Sequence, residues 1–264
     1  MRLRAIRRVI QLVSFSLMMM PAFWPANPVW VGSYISSSML GVALTEPLAA
    51  AEASLAAGRI WWPLAWSVLP LLLITLLSGR IFCGWVCPLN TLFELIYIGK
   101  APRNYIIRNG WWPYILLVIL LTADWLAGLP LFTVISPIGA LSRAVVFGSG
   151  FELAFVLALV AGEWLYRGKI WCRMLCPVGA LYGIVGKWRQ LKIVVDSANC
   201  RQCGQCHAVC SMGVNAGGTS IFDQLACTNC GDCIAACPEK LVHFNRHNLR
   251  KGGSKNESIS DVTG

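Results

Sequence analysis

Histidine is nearly missing from this sequence: there are three, all at or beyond position 207. The first 206 residues therefore cannot pair two imidazoles on a haem iron. Charge is scarce as well. Charged residues make up 13% of the 264, and Asp plus Glu number 12 against 22 Lys plus Arg. With 56% hydrophobic residues, twelve Trp and a mean hydropathy of +0.61, the composition excludes an ordinary soluble domain. The net charge of +10 does not point to nucleic acid, because the basic residues stand in short clusters beside apolar runs. A phosphate-tracking surface needs a continuous stripe.

Four apolar segments stand out: about Val9 to Trp24, Trp61 to Ser78, Trp111 to Gly128 and Phe151 to Tyr166. Each lies near the lower end of the roughly 17–25 residues that a helix needs to cross about 30 Å of hydrocarbon. The expectation is four transmembrane helices. Arg2, Arg4, Arg7 and Arg8 precede the first, and Arg80, Lys100, Arg103 and Arg108 separate the second from the third. Arg167, Lys169, Arg173, Lys187, Arg189 and Lys192 follow the fourth, whereas the alternate loops hold only Arg59 and Arg143. Under the positive-inside rule this places both termini in the cytoplasm of a multi-pass protein of the bacterial inner membrane. The N-terminus lacks small residues for signal cleavage and reads as a retained anchor.

Two strings repeat. "FCGWVCPLN" (82–90) and "WCRMLCPVG" (171–179) each end an apolar run with Cys-x3-Cys-Pro, and "SPIGAL" (136–141) echoes "CPVGAL" (176–181). A duplicated helical hairpin explains both. Proline disfavours helix at the residue before it, so the chain turns at Cys87 and Cys176. For Cys83, Cys87, Cys172 and Cys176 the readings are buried structural thiols, a redox dithiol, a bridging metal, or a docking platform for the cysteine-rich C-terminal segment.

Beyond Lys192 the chain turns polar and rich in Gly and Cys. Cys200-x2-Cys203-x2-Cys206-x3-Cys210 is followed by Cys227-x2-Cys230-x2-Cys233-x3-Cys237-Pro238. This is the two-cluster ferredoxin spacing, in which the fourth cysteine of each run ligates the other cluster. The crossing rule gives Cys200, Cys203, Cys206 and Cys237 to one [4Fe–4S] cluster, and Cys227, Cys230, Cys233 and Cys210 to the second. Ser211 stands where the first run lacks the usual proline. Zinc ribbons and disulfides fit a doubled eight-cysteine run less well.

The fold class is thus an all-α membrane protein of four transmembrane helices followed by a small two-cluster ferredoxin-like α+β domain. Its parts are a transmembrane domain at 1–192, a ferredoxin-like domain at 193–247 and a disordered tail at 248–264. In order along the chain, "GSYISSSML", "TEPL", "FCGWVCPLN", "WCRMLCPVGALYG" and the cluster motifs resemble the NapH-type membrane ferredoxins. MauN and the membrane portion of NosR-like proteins share the Cys-x3-Cys-Pro architecture.

The resemblance implies two [4Fe–4S] clusters and a place in a quinol dehydrogenase complex, as a subunit rather than an autonomous enzyme. It implies a periplasmic ferredoxin-like partner of NapG type, a cytochrome partner, and electrons bound for a periplasmic reductase, with nitrate as its substrate. The alternative is a MauN-like assembly or maturation factor without steady turnover. A quinol site needs a polar proton acceptor at an apolar slot. Asp124, Tyr34 and Glu46 are the candidates, with Glu163 as a further intramembrane carboxylate.

Overall fold

A computed structural model describes residues 2–23, 30–32, 36–39, 42–96, 110–148, 150–166, 169–196, 199–216 and 220–246. The tail expected at 248–264 and Tyr34 lie outside the described residues. Helices form at the four apolar segments: α1 (Arg2–Phe23), α3 (Trp62–Ser78), α6 (Trp112–Ala127) and α9 (Gly150–Tyr166). Pro63 and Pro113 sit in the first turns of α3 and α6, where a missing N–H costs nothing.

These helices correct the expected fold class. Among the described residues no helix is long and apolar enough to cross a membrane. At 17, 16 and 17 residues, α3, α6 and α9 fall short. A rise of about 1.5 Å per residue gives them about 24–26 Å, against roughly 30 Å of hydrocarbon. Only α1, with 22 residues, is longer, and its first half carries four arginines. Four transmembrane helices are therefore not found among the described residues. Nor is the first part all-α, since β1 (Trp30–Gly32), β2 (Ser36–Met39) and β3 (Val42–Thr45) form an antiparallel sheet in the order β1-β2-β3.

Between the longer helices run short ones. They are α2 (Pro47–Ala56), α4 (Ile81–Trp85), α5 (Pro88–Ile96), α7 (Leu131–Ile135) and α8 (Pro137–Phe147). Then come a π-turn at Trp171–Leu175 and α10 (Pro177–Val185). The recurring proline is the reason for the breaks: Pro88, Pro137 and Pro177 each open a new helix, and the residue before each stays out of the helix. The SPIGAL and CPVGAL strings take the same local form. Ser136 Oγ accepts from Gly139 N, and Cys176 Sγ accepts from Gly179 N, both at 3.5 Å.

Two apolar clusters fill the interior. One gathers Phe93, Leu89, Leu141 and Val156, and the other gathers Leu48, Leu117, Val178 and Tyr182. The opposite faces of α3, α6 and α9 stay exposed, with Trp66, Leu73, Val118, Leu126, Phe151 and Leu165 on the surface.

The cysteine-rich segment is framed by β4 (Leu191–Val195) and β5 (Val242–Arg246), paired antiparallel from Leu191↔Arg246 to Val195↔Val242. Between them lie α11 (Gln205–Ala208), α12 (Ile221–Ala226) and α13 (Asp232–Ala236). This segment does not hang free. Trp85 Nε1 donates to Asn229 O at 3.1 Å, and Asn229 Nδ2 donates to Ser78 O at 2.8 Å and Leu191 O at 3.0 Å. Arg80, Arg173 and Arg189 donate to the carbonyls of Leu225, Met212 and Gln224.

Four of the basic residues counted as topology signals therefore serve inside the molecule. Arg7, Arg80, Lys169 and Arg189 are all buried. A guanidinium at a helix end satisfies a backbone carbonyl as readily as a lipid headgroup, and its position in the sequence is the same either way.

Candidate metal centres

Each ferredoxin loop is bent by the same device. Gln202 and Asn229, one residue before the second cysteine of each run, have φ of 52° and 51°. Gly204 and Gly231, one residue after it, have φ of 73° and 80° and cap α11 and α13. Two left-handed residues around Cys203 and Cys230 curl three cysteines about a common centre. Glycine takes that conformation without strain and asparagine tolerates it.

The second loop closes on a cavity of about 230 Å³. Cys227, Cys230 and Cys233 line it together with Cys210 from the first run, and Cys206 also reaches its wall. Cys200, Cys203 and Cys237 do not line this cavity, and Cys203 is exposed. Burial pushes the thiols of Cys230 and Cys233 up to about 12. Thiols so placed stay neutral unless a cation meets them at the sulfur. A [4Fe–4S] core supplies that charge, so these residues fit the group. The string Cys203-Gly204-Gln205-Cys206-His207 also spells c-type haem attachment. Its Cys206 faces the sulfur-lined cavity instead.

The other four cysteines converge. Cys83, Cys87, Cys172 and Cys176, from two segments about 90 residues apart, line one smaller cavity of about 30 Å³. Cys83 lies on α4, Cys172 on the π-turn, and Cys87 and Cys176 just before α5 and α10. Burial pushes Cys87 and Cys176 up to about 12 and raises Cys83 and Cys172 as well. Arg80 lines the same cavity and donates to Cys172 O at 3.3 Å. Gly179 makes room for it, because a Cβ there would collide with Arg80 Nη2.

The carboxylates sort by environment. Glu163 is not a free group in a span: it accepts from Trp171 N at 2.5 Å and Ile170 N at 3.1 Å, anchoring the π-turn that carries Cys172. Asp124 is wholly buried, and its Oδ1 accepts from Leu131 N at 2.9 Å, fixing the start of α7. Glu46 caps α2, with Oε2 accepting from Ala49 N at 2.9 Å. Burial raises Glu46 to about 7 despite hydrogen bonds from Ala49 and Leu48. It lines a small cavity whose walls Phe82, Phe132, Ser136 and Val178 also border the four-cysteine cavity. Glu52 is buried behind it, with Oε2 accepting from Thr133 Oγ1 at 2.7 Å.

Glu94 is the group that the sequence pattern does not single out. It receives Lys169 Nζ at 3.1 Å, Arg7 Nη2 at 3.3 Å and Arg8 Nη1 at 3.1 Å, with Gln11 and Asn90 as further donors. Burial opposes its charge, but Lys169 and Arg7 outweigh that and hold Glu94 down at about 2. Arg7 also bridges to Asp232 at 2.9 Å, so this network ties α1 and α5 to α13 beside Cys233. The signal available was one acid, the single charged residue of "PLNTLFELI".

Comparison with known proteins decides the family. The ferredoxin-type protein NapH of Haemophilus influenzae is 35% identical over 77% of this chain and 73% of its own length. The chain belongs to the NapH/MauN family of ferredoxin-type proteins. NapH of Escherichia coli is 34% identical over 69% of this chain and 66% of its own. The methylamine utilization ferredoxin-type protein MauN of Methylorubrum extorquens is 31% identical over 78% and 74%. A family profile described as a 4Fe-4S binding domain matches twice, at residues 56–104 and 148–195. Both matches fall on the Cys-x3-Cys-Pro segments rather than on the ferredoxin run. No solved structure matches the chain. As a member of this family it is an iron–sulfur electron-transfer protein.

Proposed function

We propose that the chain is the electron-transfer subunit of a quinol-oxidising complex, passing electrons through two [4Fe–4S] clusters toward a terminal reductase. The observation that carries this reading is the 230 Å³ cavity lined by Cys210, Cys227, Cys230 and Cys233, the set that the crossing rule assigns to one cluster. Cys200, Cys203, Cys206 and Cys237 hold the other. Bound clusters supply one-electron storage at potentials that hydrogen bonding and burial adjust.

The chain's own residues supply the rest. Oxidation of a quinol to a quinone releases two electrons and two protons. Glu46, with a carboxyl near 7, is half ionised at neutral pH and is suited to accept a proton from a quinol hydroxyl. Glu52 and Asp124 each keep one buried oxygen without a hydrogen-bond partner. Exposed apolar faces on α3, α6 and α9, with Trp61, Trp62, Trp111 and Trp112 at the starts of two of them, support seating the chain on the cytoplasmic membrane where quinol dissolves. A ferredoxin-like partner and a cytochrome carry the electrons onward, with nitrate as the terminal acceptor.

The test is the rate at which a reduced quinol analogue bleaches the cluster absorbance of the full chain. Glu46→Gln is expected to slow it by about 100-fold while the dithionite-reduced spectrum is unchanged. A Glu46→Gln rate equal to that of the unaltered chain removes Glu46 from the reaction. Clusters that dithionite reduces and quinol never does would favour assembly or maturation of a partner enzyme.

A further inference from the structure

Arg80 and Arg189 are buried, at 4% and 6% exposure, and each keeps a guanidinium Nε without a hydrogen-bond partner. The ion pairs found among the described residues draw on Arg4, Arg7, Arg8, Arg143, Lys169 and Arg201, and on neither of these two. The two also stand close together. Gly79, beside Arg80, leaves room for Arg189 Cδ, which an added Cβ would meet at 2.6 Å, and Gly186 packs on the Gly79 backbone. Like charges sharing a buried region without a carboxylate are costly unless other anions stand by.

Each arginine borders a sulfur-lined cavity. Arg80 lines the four-cysteine cavity, and Arg189 lines the cavity of Cys210, Cys227, Cys230 and Cys233. Burial holds the Arg189 guanidinium below its usual range, the Cys227 sulfur opposes that, and the charge on Arg80 adds to it. Other charged groups on the same wall are answered or half-buried. Asp232 is bridged to Arg4 and Arg7, Asp223 is opposed by Arg173, and Lys192 is half-buried. Among the described residues, Arg189 is the buried charged side chain on that wall without an opposite partner.

Its position is fixed from two sides. Arg189 ends the turn at Gly186–Trp188 just before β4, and its Nη1 donates to Gln224 O at 2.6 Å, in the helix that leads to Cys227. A reduced iron–sulfur core carries one more negative charge than the oxidised core. Burial alone disfavours that state, and a fixed cation on the cavity wall favours it.

We propose that Arg189 is the resident counter-cation of the cluster at Cys210, Cys227, Cys230 and Cys233, and raises its midpoint without moving that of the cluster at Cys200, Cys203, Cys206 and Cys237. The inference rests on the ferredoxin reading above. Arg189 is a positioning residue, acting through the charge that it places beside the sulfurs. It makes the inner cluster easier to reduce than its depth alone allows. Arg201, next to Cys200, has an 81% exposed side chain bridged to Glu239, so water screens any such effect on the outer cluster.

The experiment is an EPR redox titration of the anaerobically purified full chain, with iron and acid-labile sulfide analysis on the same samples. Arg189→Gln is expected to keep the iron and to lower one midpoint alone. A tenfold change in that cluster's reduction equilibrium is expected, which is about 59 mV for one electron. Arg189→Lys keeps a cation in place and is expected to hold the midpoint of the unaltered chain. Because an amide in that interior could disturb the fold, Arg189→Met supplies a second neutral variant with no polar group to leave unpaired. It is expected to lower the same midpoint.

Unmoved midpoints in both neutral variants overturn the proposal. So does an equal shift in Arg189→Lys, which would assign the effect to the lost guanidinium bond to Gln224 O. Iron lost from all three variants marks Arg189 as structural and overturns it too. Zinc in place of iron in the unaltered chain removes the ferredoxin reading and the inference with it, which tells the two failures apart.

Discussion

Cys230→Ser is expected to remove one cluster, about four irons per chain, and to loosen the ferredoxin segment from the helices. Cys230 lines the cavity, its carbonyl receives Arg7 Nη1 at 3.4 Å, and its neighbour Asn229 joins Ser78, Trp85 and Leu191. The segment has little apolar interior of its own, with Met212, Val214, Leu225 and Val242 as its buried hydrophobic side chains. Domains so small lean on a metal for their stability. Iron analysis and limited proteolysis read both effects at once: about half of the ferredoxin run's iron lost, and new cleavage between β4 and β5. Undiminished iron would show that Cys230 is not a ligand.

Glu94→Gln is expected to destabilise the chain by about 3–5 kcal/mol, because it leaves buried Arg7 and Lys169 without their shared counter-charge. The substitution keeps the shape and one acceptor oxygen, so loss of packing cannot account for the result. The pH dependence has a definite sign. Glu94 titrates lower in the folded chain, about 2, than its ordinary 4.5, so its contribution is complete above 4.5 and is lost as pH falls toward 2. Thermal unfolding against pH should therefore drop more steeply below 4.5 in the unaltered chain than in Glu94→Gln. Parallel curves would mean that the network contributes no net charge stabilisation.

Local rules were legible in the sequence wherever one residue fixes the backbone. Pro88, Pro137 and Pro177 start helices, and the Ser136 and Cys176 strings share one cap. The ferredoxin spacing marked the loops that Gly204 and Gly231 bend. Helix length was not legible. Apolar runs near the lower limit for a membrane span became helices of 16 or 17 residues, since Gly79 and Gly128 stop two of them with positive φ.

The destination of the basic residues was hidden for another reason. Whether Arg80 meets water or Leu225 O depends on a partner 145 residues away, which no local pattern records. The same holds for the four-cysteine cavity, where Cys83 and Cys172 come together only through tertiary packing. In the sequence Glu46 is one polar residue of a loop. Its raised carboxyl comes from burial, with the Glu52 carboxyl adding to it, which the sequence does not display.

The central claim is that the ferredoxin run holds a pair of iron–sulfur clusters that work as a relay. EPR of the anaerobically purified, dithionite-reduced full chain tests it most directly, with metal analysis on the same sample. The account predicts equal iron and acid-labile sulfide, and the split signals of two neighbouring reduced clusters, with the splitting lost in Cys230→Ser. Zinc in place of iron, or an unsplit signal that survives that substitution, would contradict it.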